Sequence, residues 1–298
     1  LGKAGVRVIC YNFMPVFDWT RTDLAMDMGN GATCLSYNGK QIEGKSPEDM
    51  FREIDENSNG YAMPGWETER MGEIKELFKK YKGVTEDDLV ENLRHFLRRI
   101  APVCEDCGVK MAIHPDDPPW GIFGLPRIIK NTADLERLLS LVDSDINGIT
   151  FCTGSLGAGR ENDLPALARE FADRICFAHL RQIRFEGEHD FCECGHRTDA
   201  GSLDMLAIVE ALADGGFDGY VMRDMTEEMQ AFIAHWQRIG VHFDCIYTGF
   251  FSSVRQIEIV RQVIQDFAQE DTLVLVDPVL GDNGRLYGCF SPDYVQEM

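Results

Sequence analysis

The sequence has no apolar run that approaches the roughly 18 residues needed to cross a membrane. Its first residues lack the basic and apolar pattern of a signal peptide. Internal repeats and low-complexity segments are also missing. These absences exclude a membrane partner from the prediction and lead us to expect a cytoplasmic location.

Positive charge is scarce as well. The 298 residues include 29 Lys and Arg against 50 Asp and Glu, which gives a formal net charge of −21. A polyanion would be repelled at long range, so we expect no nucleic-acid partner. A small anionic substrate remains compatible with the sequence if local cations or a metal ion hold it.

The ten cysteines are scattered and several lie in apolar runs, which is typical of reduced thiols rather than of a secreted disulfide framework. Cys104 and Cys107 have the spacing of a zinc or redox pair, but no second pair follows at zinc-ribbon spacing, so we favour buried helix-end cysteines. Cys192, Cys194 and His196 form a second ligand cluster for which zinc stays an alternative.

Three apolar runs each end on a residue that binds metals: His114, Cys152 and His179. Strand-like and helix-like segments alternate from residue 85 to residue 221, a pattern typical of a parallel sheet. The carboxyl ends of parallel strands meet at one rim, where α/β enzymes keep their chemistry. The sequence therefore predicts a divalent metal site at this rim, in a barrel-like fold.

Several other segments allow more than one structural or functional interpretation. Residues 5–11 have the pattern of a strand with nothing before it, so we expect the amino terminus to be truncated. Residues 24–84 are expected to be an irregular excursion, with a lid as one interpretation. The loop at 12–23 either lines a sugar-acid pocket or is packed by Phe17 and Trp19. Asp116 and Asp117 either orient an imidazole or fix their loop.

The first part of the chain resembles mannonate dehydratase of the hexuronate pathway, over residues 1 to about 221. The likeness is carried by residues 10–23, 113–119, 148–155, 177–181 and 199–205. It implies a TIM-barrel lyase that uses Mn²⁺ or Fe²⁺ to convert D-mannonate into 2-dehydro-3-deoxy-D-gluconate and water. A small sugar acid is then the predicted partner, and a homodimer is one assembly that the sequence allows.

The resemblance also implies roles for individual residues. The metal ligands would be His114, Cys152 and His179. The predicted substrate-binding residues are Asn12, Trp19, Arg21, Arg181 and His196. Arg181 is the candidate for holding the substrate carboxylate, because a guanidinium binds carboxylates through paired hydrogen bonds.

One strand end departs from the family. Where the family has an Arg-Pro-Asp-His-Gly run with a fourth ligand and a catalytic histidine, Val221 is followed here by Met-Arg-Asp-Met-Thr. Asp224 is the only carboxylate near that place, and the next histidine, His235, belongs to a predicted helix. The first and last strands of the family's barrel are also missing. We therefore leave the catalytic residues unassigned and expect impaired turnover.

From about residue 223 the sequence resembles the pyridoxal kinase branch of the ribokinase-like fold, through residues 224–229, 243–250 and 276–287. In that family Tyr247 would border the vitamin pocket, and Asp277 and Asp282 would lie near the phosphates of ATP and their Mg²⁺. The glycine-rich anion hole and the adenine-binding segments of the family are missing from this sequence.

The predicted fold class is α/β: an incomplete TIM barrel at residues 1–221, followed by a partial ribokinase-like segment at residues 222–298. Besides the metal-dependent lyase, two alternatives stay open. One is a kinase-like phosphotransferase fragment, and the other is a non-catalytic fusion product. The strands predicted at 244–249 and 273–279 would either pair with the incomplete barrel or leave its sheet edges exposed.

Overall fold

The computed structural model describes residues 1–29, 33–46, 49, 71–223, 233–234, 236–238, 240–249, 251, 254–277, 281–282 and 285–286. The chain divides into two compact units. The first comprises residues 1–59 and 63–224, and the second comprises residues 60–62 and 225–298.

A five-stranded parallel sheet forms the centre of the first unit. Its strands are β1 (Val8–Tyr11), β4 (Lys110–Ile113), β5 (Asn147–Cys152), β6 (Ile175–Leu180) and β9 (Tyr220–Arg223), and they are adjacent in that order. Every residue of β5 is buried, as expected for a strand covered on both faces. A parallel sheet whose strands follow chain order is the arrangement of a partial TIM-like barrel, in agreement with the predicted α/β class.

The described helices of the first unit are α1 (Gly39–Ile42), α2 (Met71–Tyr81), α3 (Glu86–Cys107), α4 (Thr132–Leu139), α5 (Thr153–Ala158), α6 (Leu164–Glu170) and α7 (Met205–Asp214). From α3 onwards they alternate with the strands of the parallel sheet, as the sequence predicted. Thr85 and Asp88 form a reciprocal capping box at the start of α3. The apolar faces of these helices pack on the sheet in one core, which includes Leu93, Ile113 and Phe151.

A smaller antiparallel sheet corrects one sequence-based expectation. It contains β2 (Asp23–Asp27), β3 (Thr33–Asn38), β8 (Asp190–Glu193) and β7 (Ile183–Phe185), in that order. The prediction that residues 24–84 are irregular is wrong for β2, β3, α1 and α2. Strand β3 pairs with β8, far along the chain, and such a partner leaves no local pattern. Residues 30–32, 47–48 and 50–70 of the predicted lid lie outside the described residues.

The second unit contains β10 (Cys245–Thr248), α8 (Val254–Phe267) and β11 (Leu273–Val276). Strands β10 and β11 pair in parallel with each other, with Cys245 opposite Leu273. Ile233, Ile259 and Phe267 form its core. The short strands β12 (Gly281–Asp282) and β13 (Arg285–Leu286) pair antiparallel.

The predicted domain boundary at 221/222 falls inside β9. Residues 222 and 223 pair with His179 and Leu180 of β6, so they belong to the sheet of the first unit. The assignment of two separate domains stays a prediction. In the part of the chain that the structure describes, no helix combines the length and the apolar character needed to cross a bilayer.

Candidate metal centre

His114, Cys152 and His179 lie together at the carboxyl ends of three adjacent strands. Cys152 ends β5 and is opposite His179 of β6 in the strand register, while His114 directly follows β4. One ligand atom from each residue lies within 4.8 Å of the other two. The structure thus brings together the three residues that the sequence singled out.

The spacing of these atoms suits a single cation. The sulfur of Cys152 lies 3.4 Å from Nδ1 of His179. Ligands about 2.1 and 2.3 Å from one ion, at angles of roughly 90 to 110°, are about 3.1 to 3.6 Å apart. Two imidazoles and one thiolate fit Mn²⁺, Fe²⁺ or Zn²⁺ and leave coordination positions open.

The ring of His114 is oriented by the backbone of the next residue. Its Nδ1 lies 2.7 Å from the carbonyl oxygen of Pro115, which can only accept a hydrogen bond, so Nδ1 carries the proton. In the neutral imidazole the lone pair is then on Nε2, the atom left for a metal. Burial lowers the pKa of His114, but the neighbouring sulfur of Cys152 outweighs this effect and the pKa is raised overall.

Cys152 is fully buried, yet its surroundings favour the thiolate. Burial by itself raises the pKa of the thiol. The charges of Arg181 and His114 and the hydrogen bonds from His114 and His179 outweigh burial, so the pKa lies well below its usual value. A thiol that ionises easily is ready to bind a divalent cation.

A buried ion network lies beside the three candidate ligands. Arg21 donates to both carboxylate oxygens of Asp117, at 2.8 and 3.0 Å, and to Glu193 at 2.9 Å. Arg181 donates to Asp117 at 2.5 Å and lies 3.3 Å from Glu193. Two arginines and two carboxylates therefore balance one another around Asp117.

Asp117 is the centre of this network. Burial alone raises the pKa of its carboxyl, but the charges of Arg181 and Arg21 dominate and hold the pKa far below its usual range. Asp117 is thus an ionised, fully buried anchor for two cations. Asp117 therefore fixes Arg21 and Arg181. The sequence had suggested two other roles, namely orienting an imidazole or fixing the loop.

Asp116 fixes its own loop. Its Oδ2 accepts hydrogen bonds from the backbone nitrogens of Ile128 and Ile129, at 2.6 and 2.7 Å. Burial raises the pKa of Asp116 to about 6, although Arg127 and these backbone donors oppose the rise. The loop-fixing interpretation therefore agrees with the structure.

The predicted substrate-binding residues occupy different environments. The side chain of Arg21 is fully buried under the ring of Trp19, whereas 14% of the Arg181 side chain is exposed. Asn12 is exposed and donates to Asp18. Nε2 of His196 lies 2.7 Å from the carbonyl oxygen of Leu180, next to His179 in the chain. Their contact with a substrate stays a prediction.

Sequence reasoning missed three residues around this centre: Ser155, Glu193 and Arg127. The hydroxyl of Ser155 lies 3.2 Å from the sulfur of Cys152, and Glu193 lies on β8 of the small sheet. Arg127 is 1% exposed and pairs with Asp116 at 3.8 Å. The one available signal was Ser155, three residues after Cys152 at helical spacing.

The residues predicted from the kinase resemblance belong to the second unit. The hydroxyl of Tyr247 donates to Asp277 at 3.1 Å, across the carboxyl ends of β10 and β11. This hydrogen bond to Asp277 raises the pKa of Tyr247. Asp282 lies in the short strand β12. The predicted roles of Tyr247, Asp277 and Asp282 in a vitamin pocket and near the phosphates of ATP stay predictions.

Comparison with known proteins identifies the family. The model of the family D-mannonate dehydratase (UxuA) matches residues 1–238. A mannonate dehydratase from Enterococcus faecalis is 54% identical over 224 residues, which cover 75% of this chain and 63% of that protein. The chain therefore spans less than two thirds of the length of this relative.

Solved structures add two comparisons. The crystal structure of mannonate dehydratase from Streptococcus suis serotype 2 is 40% identical with a TM-score of 0.65, and the match covers 75% of this chain and 58% of that chain. A protein assigned as a phosphomethylpyrimidine kinase from Bacteroides thetaiotaomicron is 53% identical, over 25% of this chain and 26% of its own. Its TM-score of 0.25 supports no statement about the fold of the second unit.

The family match covers the whole first unit, including the three strand ends that bring His114, Cys152 and His179 together. On this evidence the chain belongs to the D-mannonate dehydratase family.

Proposed function

We propose that the first unit is the metal-binding part of a D-mannonate dehydratase that acts with Mn²⁺ or Fe²⁺. The reaction would convert D-mannonate into 2-dehydro-3-deoxy-D-gluconate and water. The observation that carries this proposal is the cluster of His114, Cys152 and His179 on adjacent strand ends, in a chain of that family.

Each ligand side chain has a role in this proposal. Two neutral imidazoles and the thiolate of Cys152 would hold the ion and leave positions for substrate oxygens. A bound divalent cation supplies Lewis acidity, which makes the C2 proton of a coordinated sugar acid easier to remove. Arg181 is partly exposed beside the cluster, so its guanidinium would orient the carboxylate of the substrate. Asp117 and Glu193 would keep Arg181 in place.

The acid and base for the elimination are not assigned. Dehydration needs a base for the C2 proton and an acid for the departing C3 hydroxyl. Strand β9 ends at Arg223 without the histidine that the family resemblance predicts, and Asp224 and His235 lie outside the described residues. Loss of one general acid or base lowers rates by about 10²- to 10⁴-fold. We therefore expect substrate binding with slow turnover.

Binding and turnover are measured separately. Mn²⁺-loaded chain is titrated with D-mannonate, and water proton relaxation reports displacement of water from the ion. Formation of the 2-keto product is followed in parallel beside the E. faecalis relative. We expect saturable binding and a rate at least about 100-fold below that of the relative.

The matched control is His179→Ala, which removes one imidazole and leaves the strand register in place. It should abolish the response to mannonate. Wild-type chain that shows no response to mannonate would contradict the proposed substrate. Turnover at the relative's rate would contradict the expected loss of an acid or base.

Three expectations from the sequence stay predictions: a cytoplasmic location, a homodimer and the kinase-like alternative with Mg²⁺ and ATP. The last is tested by incubating the chain with Mg²⁺, ATP and pyridoxal. Phosphorylation that is lost in Asp277→Asn would support the alternative.

A further inference from the structure

Ser155 connects the ion network to the candidate metal ligands. It is the third residue of α5 and is fully buried. Its Oγ lies 3.2 Å from the sulfur of Cys152 and 3.2 Å from Oδ2 of Asp117, and it accepts a hydrogen bond from Arg181 at 3.0 Å. The single hydroxyl proton therefore has two candidate acceptors.

Counting lone pairs distinguishes these acceptors. A carboxylate oxygen has about two acceptor sites. Oδ2 of Asp117 already accepts hydrogen bonds from Arg21 at 3.0 Å and from Arg181 at 2.5 Å. Both donors are charged and are stronger competitors than a hydroxyl. Little acceptor capacity on Oδ2 is left for Ser155.

The sulfur is the better acceptor once it binds a cation. A coordinating thiol is deprotonated, so Cys152 would accept hydrogen bonds and donate none. The bond from Arg181 to Oγ polarises the hydroxyl of Ser155 and makes it a stronger donor.

We propose that Ser155 donates its proton to the Cys152 thiolate and thereby reduces the electron donation from sulfur to the bound metal. This inference rests on the metal site of the proposed function. Ser155 is a positioning residue in this account, because it acts through Cys152 and touches neither ion nor substrate. Hydrogen bonds to a ligating sulfur are one means by which proteins tune a metal.

Spectroscopy of the Co²⁺-loaded chain tests the proposal without any measurement of turnover. Charge transfer from sulfur to Co²⁺ gives a near-ultraviolet band whose energy rises when the sulfur accepts a hydrogen bond. Ser155→Ala should therefore move the band to longer wavelength. Ser155→Thr keeps a hydroxyl and should leave the band closer to its wild-type position.

The matched control is Thr150→Val. Thr150 lies on β5, two residues before Cys152, and is also fully buried. Its hydroxyl bonds to the carbonyl oxygen of Ala112 and to Cys10 instead. Loss of this hydroxyl should leave the band in place. If Ser155→Ala fails to fold, Ser155→Gly removes the same hydroxyl and is measured in its place.

The outcomes separate this inference from the proposed function. A shift in Ser155→Ala but not in Thr150→Val supports the hydrogen bond. A wild-type band that stays unchanged in the Ser155 variant that folds overturns this inference and leaves the metal site intact. A wild-type chain without any such band has no cation on Cys152, which overturns both.

Discussion

The sulfur of Cys152 lies 3.4 Å from Nδ1 of His179, although 27 positions separate the two residues in the sequence. They are opposite each other in the register of two parallel strands, so the backbone ladder sets their separation. Ligands fixed by a sheet need little reordering when they bind an ion, which favours affinity.

The sulfur of Cys152, as a candidate ligand, should determine which metal ion the site prefers. Cys152→Ser replaces a soft ligand with a hard one, so affinity for Zn²⁺ should fall more than affinity for Mn²⁺. We expect the Zn²⁺ affinity to fall by at least about 100-fold, because loss of a residue that only supports a ligand already lowers metal affinity by about 10- to 100-fold. Competition titrations with a metal-binding dye measure both constants. Cys176→Ser, which changes a buried cysteine outside the cluster, should change neither.

The buried network around Asp117 should be essential for stability. Asp117→Asn removes one charge from a fully buried site and takes from Arg21 and Arg181 the carboxylate that they share, while Glu193 still lies beside both. Breaking a buried ion pair costs about 3–5 kcal/mol. Denaturant unfolding of the metal-free chain should show a loss of this order.

An exposed ion pair provides the comparison for Asp117. Arg197 pairs with Asp199 at 2.6 Å, and both side chains are largely exposed. Arg197→Gln should change the free energy of unfolding by no more than about 1 kcal/mol. Equal losses in the two variants would contradict the central role of Asp117.

Asp116 should make stability depend on pH. Burial raises its pKa to about 6 in the folded chain, whereas an exposed aspartate titrates near 3.9. The folded state holds this proton more tightly, so the contribution of Asp116 to stability falls as the pH rises from about 4 to about 6. Asp116→Asn removes this titration. The difference in unfolding free energy between the wild-type chain and this variant should therefore change by roughly 1–3 kcal/mol between pH 4 and pH 6.

Denaturant unfolding at several pH values, in the presence of a chelator, measures this difference. Asn also keeps an oxygen that can accept from Ile128 and Ile129. Relative to the variant, the wild-type chain should gain unfolding free energy only towards low pH. A difference that stays constant from pH 4 to pH 7 would show that Asp116 titrates normally.

The absence of a side chain at Gly154 should be needed for Arg181 to keep its position. A Cβ at this position would collide with Nε of Arg181 and lie 3.0 Å from its Cζ. Arg181 is held by Asp117 and Glu193 and cannot move away freely, so Gly154→Ala should destabilise the chain by about 1–3 kcal/mol. Gly72→Ala, where a Cβ meets no atom within 4 Å, should be neutral or stabilising by up to about 1 kcal/mol. Thermal unfolding of both variants tests the contrast.

The sequence predicted the parallel sheet and the convergence of the three candidate ligands because their signals are local. Each of His114, Cys152 and His179 lies at the carboxyl end of an apolar strand, and parallel strands bring these ends to one rim. Asn131, Asp163 and Asp204 likewise cap helices that follow these strands, as their side chains allow.

The small sheet and the ion network could not be predicted, because they depend on distant partners. Glu193 and Arg21 are 172 positions apart, and they meet only because β8 pairs with β3. Arg21 and Arg181 were singled out as substrate-binding residues, which stays a prediction, and their bonds to Asp117 could not be inferred from single positions. A buried arginine is costly unless a carboxylate pairs with it, and the sequence alone does not identify which carboxylate that is.

The central claim is that His114, Cys152 and His179 bind one divalent cation together. Chain dialysed against Mn²⁺ and analysed for bound metal tests it most directly, with wild type beside His114→Ala, Cys152→Ser and His179→Ala. We expect one tightly bound ion per wild-type chain and a marked loss of affinity in each variant. Wild-type chain without bound metal, or variants that retain it at full affinity, would contradict the account.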